Sequence, residues 1–166
     1  EKKIMMQLDH PFIIKYVKTL KNELYCFFIL EFINGKNMDD YLSERKYLRN
    51  TFETKFYVGS LMVILDYLHK KDISHRDLKP SNIMIDKTGY LKMIDFGTSK
   101  VVTDFMQTII GTPHYIAPEI LAGKGYSLSS DYWSMGITMY EIFYGVYPFG
   151  NNATDILEVY KDILNQ

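Results

Sequence analysis

Residues 75–82, with the sequence HRDLKPSN, are the feature that most constrains how this chain folds. Two short apolar runs, residues 83–85 and 91–94, follow this polar loop and are separated by a turn-forming segment. Two such runs around a turn predict a β-hairpin. The triplet Asp-Phe-Gly at residues 95–97 comes directly after the second run, eighteen residues after Asp77. We therefore expect a hairpin that holds the polar loop at one end and the triplet at the other.

Elsewhere the hydrophobic pattern predicts an α+β fold with a mainly helical second part. The strand predicted over residues 24–32 is apolar on both faces, which favours burial between two layers. Residues 34–37 interrupt the pattern, and residues 98–116 have no clear periodicity. A first hairpin is predicted to join residues 16–20 to residues 24–32. The predicted helices cover residues 1–8, a segment from residue 37, and residues 52–69, 129–144 and 154–164.

Composition limits the classes of function. The chain has 166 residues, of which 47% are hydrophobic, and a net charge of −1, so a folded core is expected and a nucleic-acid partner is not. The longest apolar run, residues 24–30, is too short to span a membrane. Cys26 lies in that run, where we expect a buried thiol in a reducing compartment, which favours a cytoplasmic location.

Asp77, Asn82 and Asp95 are the residue types that phosphoryl transfer requires. This chemistry uses a base near the acceptor hydroxyl and oxygen ligands for Mg²⁺ near the phosphates. Asn82 follows Asp77 by five residues, and the sequence APE at residues 117–119 follows a polar loop. The spacing of Asp77 and Asn82, and the order of the polar loop and APE, match the protein kinase signature.

The whole chain resembles a Ser/Thr protein kinase catalytic domain of the AGC group, and it is most similar to cGMP-dependent protein kinases. The resemblance is carried by these motifs and by residues 111–119 (GTPHYIAPE), 130–136 (SDYWSMG) and 148–151 (PFGN). It implies a kinase-like fold with a helical C-lobe and an incomplete N-lobe, consisting of the end of helix αC and the last two strands. Residues 1–33 would be the remnant of the N-lobe and hinge, and residues 34–166 a C-lobe truncated after helix αG.

The resemblance also implies the roles of the motif residues and the cofactors ATP and Mg²⁺. Asp77 would accept or orient the proton of the substrate hydroxyl, and Lys79 would neutralise the transferred phosphoryl group. Asn82 and Asp95 would bind magnesium, for which oxygen ligands are preferred.

For ATP, the resemblance implies that Leu30 is the gatekeeper and that the Glu31 carbonyl and the Ile33 amide hold the adenine. Met84 would pack beneath the base. Glu1 aligns with the glutamate of helix αC that pairs with a lysine in related kinases.

Thr108 aligns with a regulatory phosphothreonine, whose phosphate could pair with Arg76 and Lys100. An upstream kinase or autophosphorylation would supply it; an unmodified loop threonine is the alternative. Thr112 would bond to Asp77 and Lys79. Glu141 is the acidic residue that remains among three positions that read basic substrate residues in relatives, and Asn37 and Ser81 occupy the other two. The partner is therefore a protein or peptide, and the oligomeric state stays open.

The sequence departs from the kinase pattern because it contains neither the glycine-rich loop nor a VAIK strand. We expect a fragment of a larger kinase domain, with little activity on its own. The main alternative is a pseudokinase or scaffold, although such a protein has no physical need for Asp77, Lys79, Asn82 and Asp95. A small-molecule phosphotransferase is disfavoured by the long loop that ends in APE.

Overall fold

The computed structural model describes residues 2–45, 51–102 and 110–165, and these residues have the α+β architecture that the sequence predicts. Six helices occur in these residues: α1 (Lys2–Met5), α2 (Met38–Arg45), α3 (Thr51–His69), α4 (Pro118–Leu121), α5 (Leu128–Tyr144) and α6 (Ile156–Leu164). Seven strands accompany them: β1 (Tyr16–Lys21), β2 (Cys26–Leu30), β3 (Gly35–Asn37), β4 (Ile73–Ser74), β5 (Ile83–Asp86), β6 (Leu91–Met93) and β7 (Lys100–Val101).

Helix α3 is the centre of the main hydrophobic core. Its apolar residues recur at helical spacing, and Leu61, Ile64, Leu65 and Leu68 are fully buried. The helix packs against α5. A second, smaller cluster contains Ile116, Ala117, Ile120 and Tyr126, and Tyr160 of α6 packs against it.

The strands form three small antiparallel sheets. Strand β1 pairs with β2, and β5 pairs with β3 on one side and β6 on the other. Both predicted hairpins are thus confirmed. Strand β4 pairs with β7, so that Ser74 lies opposite Lys100. This last pairing joins the polar loop to the segment that follows the Asp-Phe-Gly triplet.

The ends of helices α5 and α6 have local sequence causes. Gly145 takes a positive φ of 71° and its amide donates to the Glu141 carbonyl, which ends α5. Asp155 precedes α6 and its side chain accepts a hydrogen bond from the Glu158 amide at 2.9 Å. The predicted helix start at residue 154 is therefore two residues too early.

Three expectations about extended segments are wrong. Cys26 is exposed, and β2 is only half-covered, with Phe27 48% exposed. In the described residues β1 and β2 form a sheet of two strands, so no second layer covers both faces of β2. Residues 34–37 do not simply break the pattern, since Gly35–Asn37 form strand β3 against β5. Local propensity missed this strand because its partner lies far along the chain.

Within the described ranges, no helix is both long and apolar enough to cross a lipid bilayer.

Candidate active site

The polar loop is anchored by a buried carboxylate on helix α5. Asp131 accepts hydrogen bonds from the backbone amides of His75 at 3.0 Å and Arg76 at 2.9 Å. It also accepts one from Ser74 Oγ at 3.1 Å, and its Oδ2 lies 2.9 Å from His69 Nε2. Arg76 has a positive φ of 68°, which costs free energy in a residue other than glycine. The contacts of Asp131 therefore stabilise a strained loop conformation.

Asp77 projects from this loop and is largely buried, at 8% exposure. Its Oδ1 accepts hydrogen bonds from Thr112 N and Thr112 Oγ1, each at 3.0 Å. Its Oδ2 accepts from Asn82 Nδ2 at 3.0 Å and lies 2.9 Å from Lys79 Nζ. Burial raises the pKa of Asp77, but the hydrogen bond and charge of Lys79, with the bonds from Thr112 and Asn82, bring the pKa below its usual value. Asp77 is therefore a carboxylate at neutral pH, and each of its two oxygens makes two polar contacts.

Thr112 joins the second segment of the site to this loop. Lys79 Nζ donates to Thr112 Oγ1 at 2.6 Å in addition to its ion pair with Asp77. Gly111, the preceding residue, has a φ of +113°, and a Cβ atom there would lie 2.8 Å from the Arg76 carbonyl oxygen. Glycine tolerates both the φ and the close approach. The structure thus brings Thr112, Asp77 and Lys79 into mutual contact.

Asn82 and Asp95 flank the β5–β6 hairpin, and Ile94 N donates to the Asn82 carbonyl at 3.0 Å. Asn82 Nδ2 bonds to the carbonyl and the carboxylate of Asp77, which leaves the amide oxygen for another partner. Asp95 is exposed, and its Oδ1 accepts from Gly97 N at 2.8 Å.

The side chains of Asn82 and Asp95 fit a magnesium site in which the phosphates of a bound substrate supply further ligands. The described residues contain no group of three or more His, Cys, Asp and Glu side chains able to hold a metal ion. Magnesium does not require such a group, because it keeps several waters and binds through one or two carboxylates together with substrate phosphates. The amide oxygen of Asn82 and the carboxylate of Asp95 are suitable ligands of this type.

His75 packs in the core. It is fully buried, and its ring meets Phe96 edge-on with centroids 5.3 Å apart. Met5 and Tyr16 belong to the same core as Phe96. Burial lowers the pKa of His75 despite the opposing charge of Asp131, so the ring is neutral.

The side chain of Glu31, a predicted hinge residue, is held by two neighbours. Glu31 Oε1 lies 2.5 Å from Lys92 Nζ on β6 and accepts from Lys15 N at 2.9 Å, while Glu31 N donates to the Lys15 carbonyl at 2.9 Å. Across the described ranges, neither the Glu31 carbonyl nor the Ile33 amide takes part in a backbone hydrogen bond. Both backbone groups that were predicted to hold adenine are thus available.

Leu30 and Met84, the predicted gatekeeper and the residue beneath the base, are both half-buried and pack against the main core. Ile33 is buried at 8% exposure. Glu1 lies outside the described residues.

Two basic residues were predicted to receive a phosphate on Thr108, which also lies outside the described residues. Arg76 is half-buried, and its Nε donates to the Thr98 carbonyl at 2.6 Å. Lys100 is exposed on β7. Both therefore lie near the start of the segment that contains Thr108.

Glu141, the predicted substrate-reading carboxylate, accepts a hydrogen bond from the Tyr115 hydroxyl. Burial raises the pKa of Glu141, and the nearby charge of Asp39 adds to this effect. The other two predicted positions contact each other, since Asn37 Nδ2 donates to the Ser81 carbonyl at 2.7 Å.

Sequence reasoning missed three residues that organise the site. His69 contacts Asp131, Thr98 donates its hydroxyl to the His75 carbonyl at 3.0 Å, and the Tyr126 hydroxyl bonds to the backbone of Ile110. All three act across the fold, and no short motif contains them. The only hint in the sequence was that Thr98 follows the Asp-Phe-Gly triplet.

Comparison with known proteins extends over the whole chain. The family model for the protein kinase domain matches residues 1–166. The chain is 43% identical over 164 residues to a cGMP-dependent protein kinase of Eimeria tenella and to one of Toxoplasma gondii. In both cases 99% of this chain and 16% of the relative are covered.

The cAMP-dependent protein kinase type 3 of Saccharomyces cerevisiae is 40% identical over 165 residues, which cover 99% of this chain and 41% of that protein. The chain therefore spans less than half the length of these relatives. The similarities are consistent with the AGC group.

Proposed function

Since this chain belongs to the protein kinase domain family, we propose that its parent protein transfers the γ-phosphoryl group of ATP to Ser or Thr hydroxyls of protein or peptide substrates. Membership of the family implies protein substrates and the binding of ATP and Mg²⁺ in general. The observation that carries the finer proposal is the buried Asp77 carboxylate, which contacts Lys79, Asn82 and Thr112 simultaneously. The exposed Cys26 is compatible with a cytoplasmic location, which we also propose.

Asp77 is proposed to accept a hydrogen bond, and finally the proton, from the substrate hydroxyl. Its lowered pKa keeps it ionised, and the two bonds from Thr112 fix the orientation of Oδ1. A positioned carboxylate lowers the entropic part of the barrier by aligning the attacking oxygen. Lys79, 2.9 Å from Oδ2, adds a positive charge where negative charge on the transferred group would be stabilised.

Asn82 and Asp95 are proposed to hold Mg²⁺ through one amide oxygen and one carboxylate. When bound, the metal neutralises charge on the phosphate oxygens. The Ile94–Asn82 backbone hydrogen bond keeps the two ligand-bearing segments together.

The adenine ring is proposed to bind the Glu31 carbonyl and the Ile33 amide, between Leu30 and Met84. Support comes from the free hydrogen-bonding groups in the hinge and from the half-exposed apolar side chains of Leu30 and Met84. Glu1 is proposed to help position the phosphates through a lysine partner.

On the substrate side, Thr112 is proposed to align the acceptor beside Asp77, and Glu141 to face a basic or polar residue of the peptide. Phosphorylation of Thr108, by an upstream kinase or by autophosphorylation, is proposed to order its segment through Arg76 and Lys100. The proximity of both basic residues to Thr98, at the start of that segment, supports this role.

The test compares the full-length protein with its Asp77→Asn variant in ATP-dependent phosphorylation of a peptide library. We expect kcat to fall by about 10²- to 10⁴-fold, since the variant lacks a positioned base. Asp66→Asn, in an exposed ion pair with Lys70, is the matched control and should keep its activity. Binding of ATP should survive in both variants, because the hinge is unchanged.

Equal incorporation of phosphate by the wild type and Asp77→Asn would reject Asp77 as the base. The competing function is a pseudokinase or scaffold, which predicts no phosphorylation by any of the three proteins. The intact contacts of Asp77 with Lys79 and Asn82 favour the enzyme.

A further inference from the structure

Tyr126 contacts both backbone groups of one residue in the segment that reaches Asp77. It lies just before α5, is 7% exposed, and its hydroxyl accepts a hydrogen bond from Ile110 N at 2.9 Å. The same hydroxyl donates to the Ile110 carbonyl. One phenol thereby satisfies the donor and the acceptor of a residue sixteen positions earlier in the chain.

The position of Ile110 connects these bonds to the site. Ile110 directly precedes Gly111 and Thr112, and Thr112 donates two hydrogen bonds to Asp77 Oδ1. The backbone of Gly111 packs closely against the Arg76 carbonyl, so the chain between Ile110 and Thr112 has little room to move relative to Asp77. Displacement of Ile110 would therefore move Thr112 relative to the Asp77 carboxylate.

The aromatic ring of Tyr126 provides a second link. The guanidinium carbon of Arg76 lies 5.5 Å from the ring centroid, within the range of a cation–π contact. Arg76 Nε in turn donates to the Thr98 carbonyl at 2.6 Å. Arg76 and Tyr126 together thus hold residues from both sides of the 103–109 segment, Thr98 before it and Ile110 after it.

We propose that Tyr126 is a positioning residue for phosphoryl transfer, which fixes Thr112 against Asp77 by binding the backbone of Ile110. This inference rests on the proposed function. Tyr126 acts through Thr112 and does not touch the reacting atoms. Burial raises the pKa of Tyr126, so its hydroxyl keeps its proton and remains a donor at neutral pH.

The test is Tyr126→Phe in the full-length protein, since phenylalanine keeps the ring near Arg76 and removes only the hydroxyl. We expect kcat to fall on the order of tenfold, because Thr112 is then held less firmly against Asp77 in the transition state. The KM for ATP should stay unchanged, because the hinge residues Glu31 and Ile33 lie on another segment.

Tyr67→Phe is the matched control. The Tyr67 hydroxyl also accepts a backbone amide bond, from Asp9 N at 2.8 Å, but this contact belongs to another part of the fold. Both variants lose the contact of a phenol hydroxyl with the backbone of one residue, through two hydrogen bonds in Tyr126→Phe and one in Tyr67→Phe, so a general loss of stability should affect both. Only Tyr126→Phe should lower kcat, and an equal loss in Tyr67→Phe would overturn the inference.

Hydrogen exchange supplies a readout that does not depend on activity. The amides of Ile110 and Thr112 should exchange faster by at least about tenfold in Tyr126→Phe, since they lose or loosen their acceptors, and should be unchanged in Tyr67→Phe. Unchanged exchange, or wild-type kcat in Tyr126→Phe, would overturn the positioning role. Failure of the proposed function has a different signature, because Asp77→Asn would then incorporate as much phosphate as the wild type.

Discussion

In this protein kinase domain, the loop around Asp77 buries its charged groups, whereas the β1–β2 hairpin and the predicted hinge after it, residues 31–33, expose apolar groups. Around Asp77 and Asp131 the carboxylates are almost fully buried, and each contacts at least three other residues. In the hairpin and hinge, by contrast, apolar side chains are exposed, with Leu24 at 82% and Phe32 at 90%. Its ion pair, Glu31 with Lys92, is partly open to solvent.

The difference shows that electrostatic contacts stabilise the conformation of the Asp77 loop more than that of the hinge. A buried carboxylate that accepts several backbone bonds fixes the loop, because no water can replace its partners. A partly exposed pair restrains the hinge less, since water competes for both charges. We therefore expect a rigid site for chemistry beside a more easily adjusted hinge.

The largest effect should come from Asp131→Ala. The variant leaves the amides of His75 and Arg76 and the hydroxyl of Ser74 buried without their acceptor. We expect the free energy of unfolding to fall by about 3–5 kcal/mol, measured by denaturant titration. Asp66→Ala breaks an ion pair whose side chains are 61% and 74% exposed, and should cost less than about 1 kcal/mol. Similar losses in the two variants would contradict the contrast between buried and exposed carboxylates.

Gly111→Ala should have the next largest effect, because a Cβ would approach the Arg76 carbonyl while φ stays at +113°. We expect a loss of about 1–3 kcal/mol in the free energy of unfolding, from backbone strain, and a lower kcat as Thr112 moves from Asp77. In Gly136→Ala, on helix α5, the new methyl group meets no atom within 4 Å. That control should gain about 0.5–1 kcal/mol. Equal stability of the two variants would rule out a tight approach at Gly111.

The smallest effect is expected for Lys92→Met in the hinge. The side chains of this pair are 21% and 28% exposed, so we expect a loss of about 0.2–1 kcal/mol in the free energy of unfolding. Burial raises the pKa of Glu31, but the bonds and charges of Lys92 and Lys15 bring the pKa below its usual value. The contribution of Glu31 is thus present above the unfolded pKa of about 4.3 and is lost as pH falls through the folded pKa.

The stability difference between wild type and Lys92→Met should therefore shrink on acidification, as measured by unfolding at several pH values. Lys36→Met removes a pair with Glu44 whose side chains are 55% and 57% exposed, and should change stability less. A difference that grows towards acid pH would show that Lys92 does not stabilise the ionised form of Glu31.

Much of the fold could be predicted from local pattern. The two hairpins and the long helices α3 and α5 follow from periodicity and turn residues, and the structure places them within a few residues of the prediction. Strand β3 could not be predicted, because Gly35–Asn37 have weak strand propensity and form a strand only by pairing with β5. The prediction that Cys26 is buried was wrong, because an apolar run in the sequence does not reveal whether another layer of the fold covers it.

The candidate site, like the fold, could be predicted from the sequence only in part. Asp77, Lys79 and Asn82 lie within six residues of each other, so the sequence alone determined that a base, a cation and an amide share one loop, and the motif with Asp95 determined the family. The resemblance already implied that Thr112 bonds to Asp77 and Lys79. Only the tertiary structure decided that His69 contacts Asp131, that Thr98 binds the His75 carbonyl, and that Tyr126 holds the neighbouring segment. The physical reason is that hydrogen bonds between residues far apart in the chain depend on how helices and loops pack, and packing leaves no local pattern in the sequence.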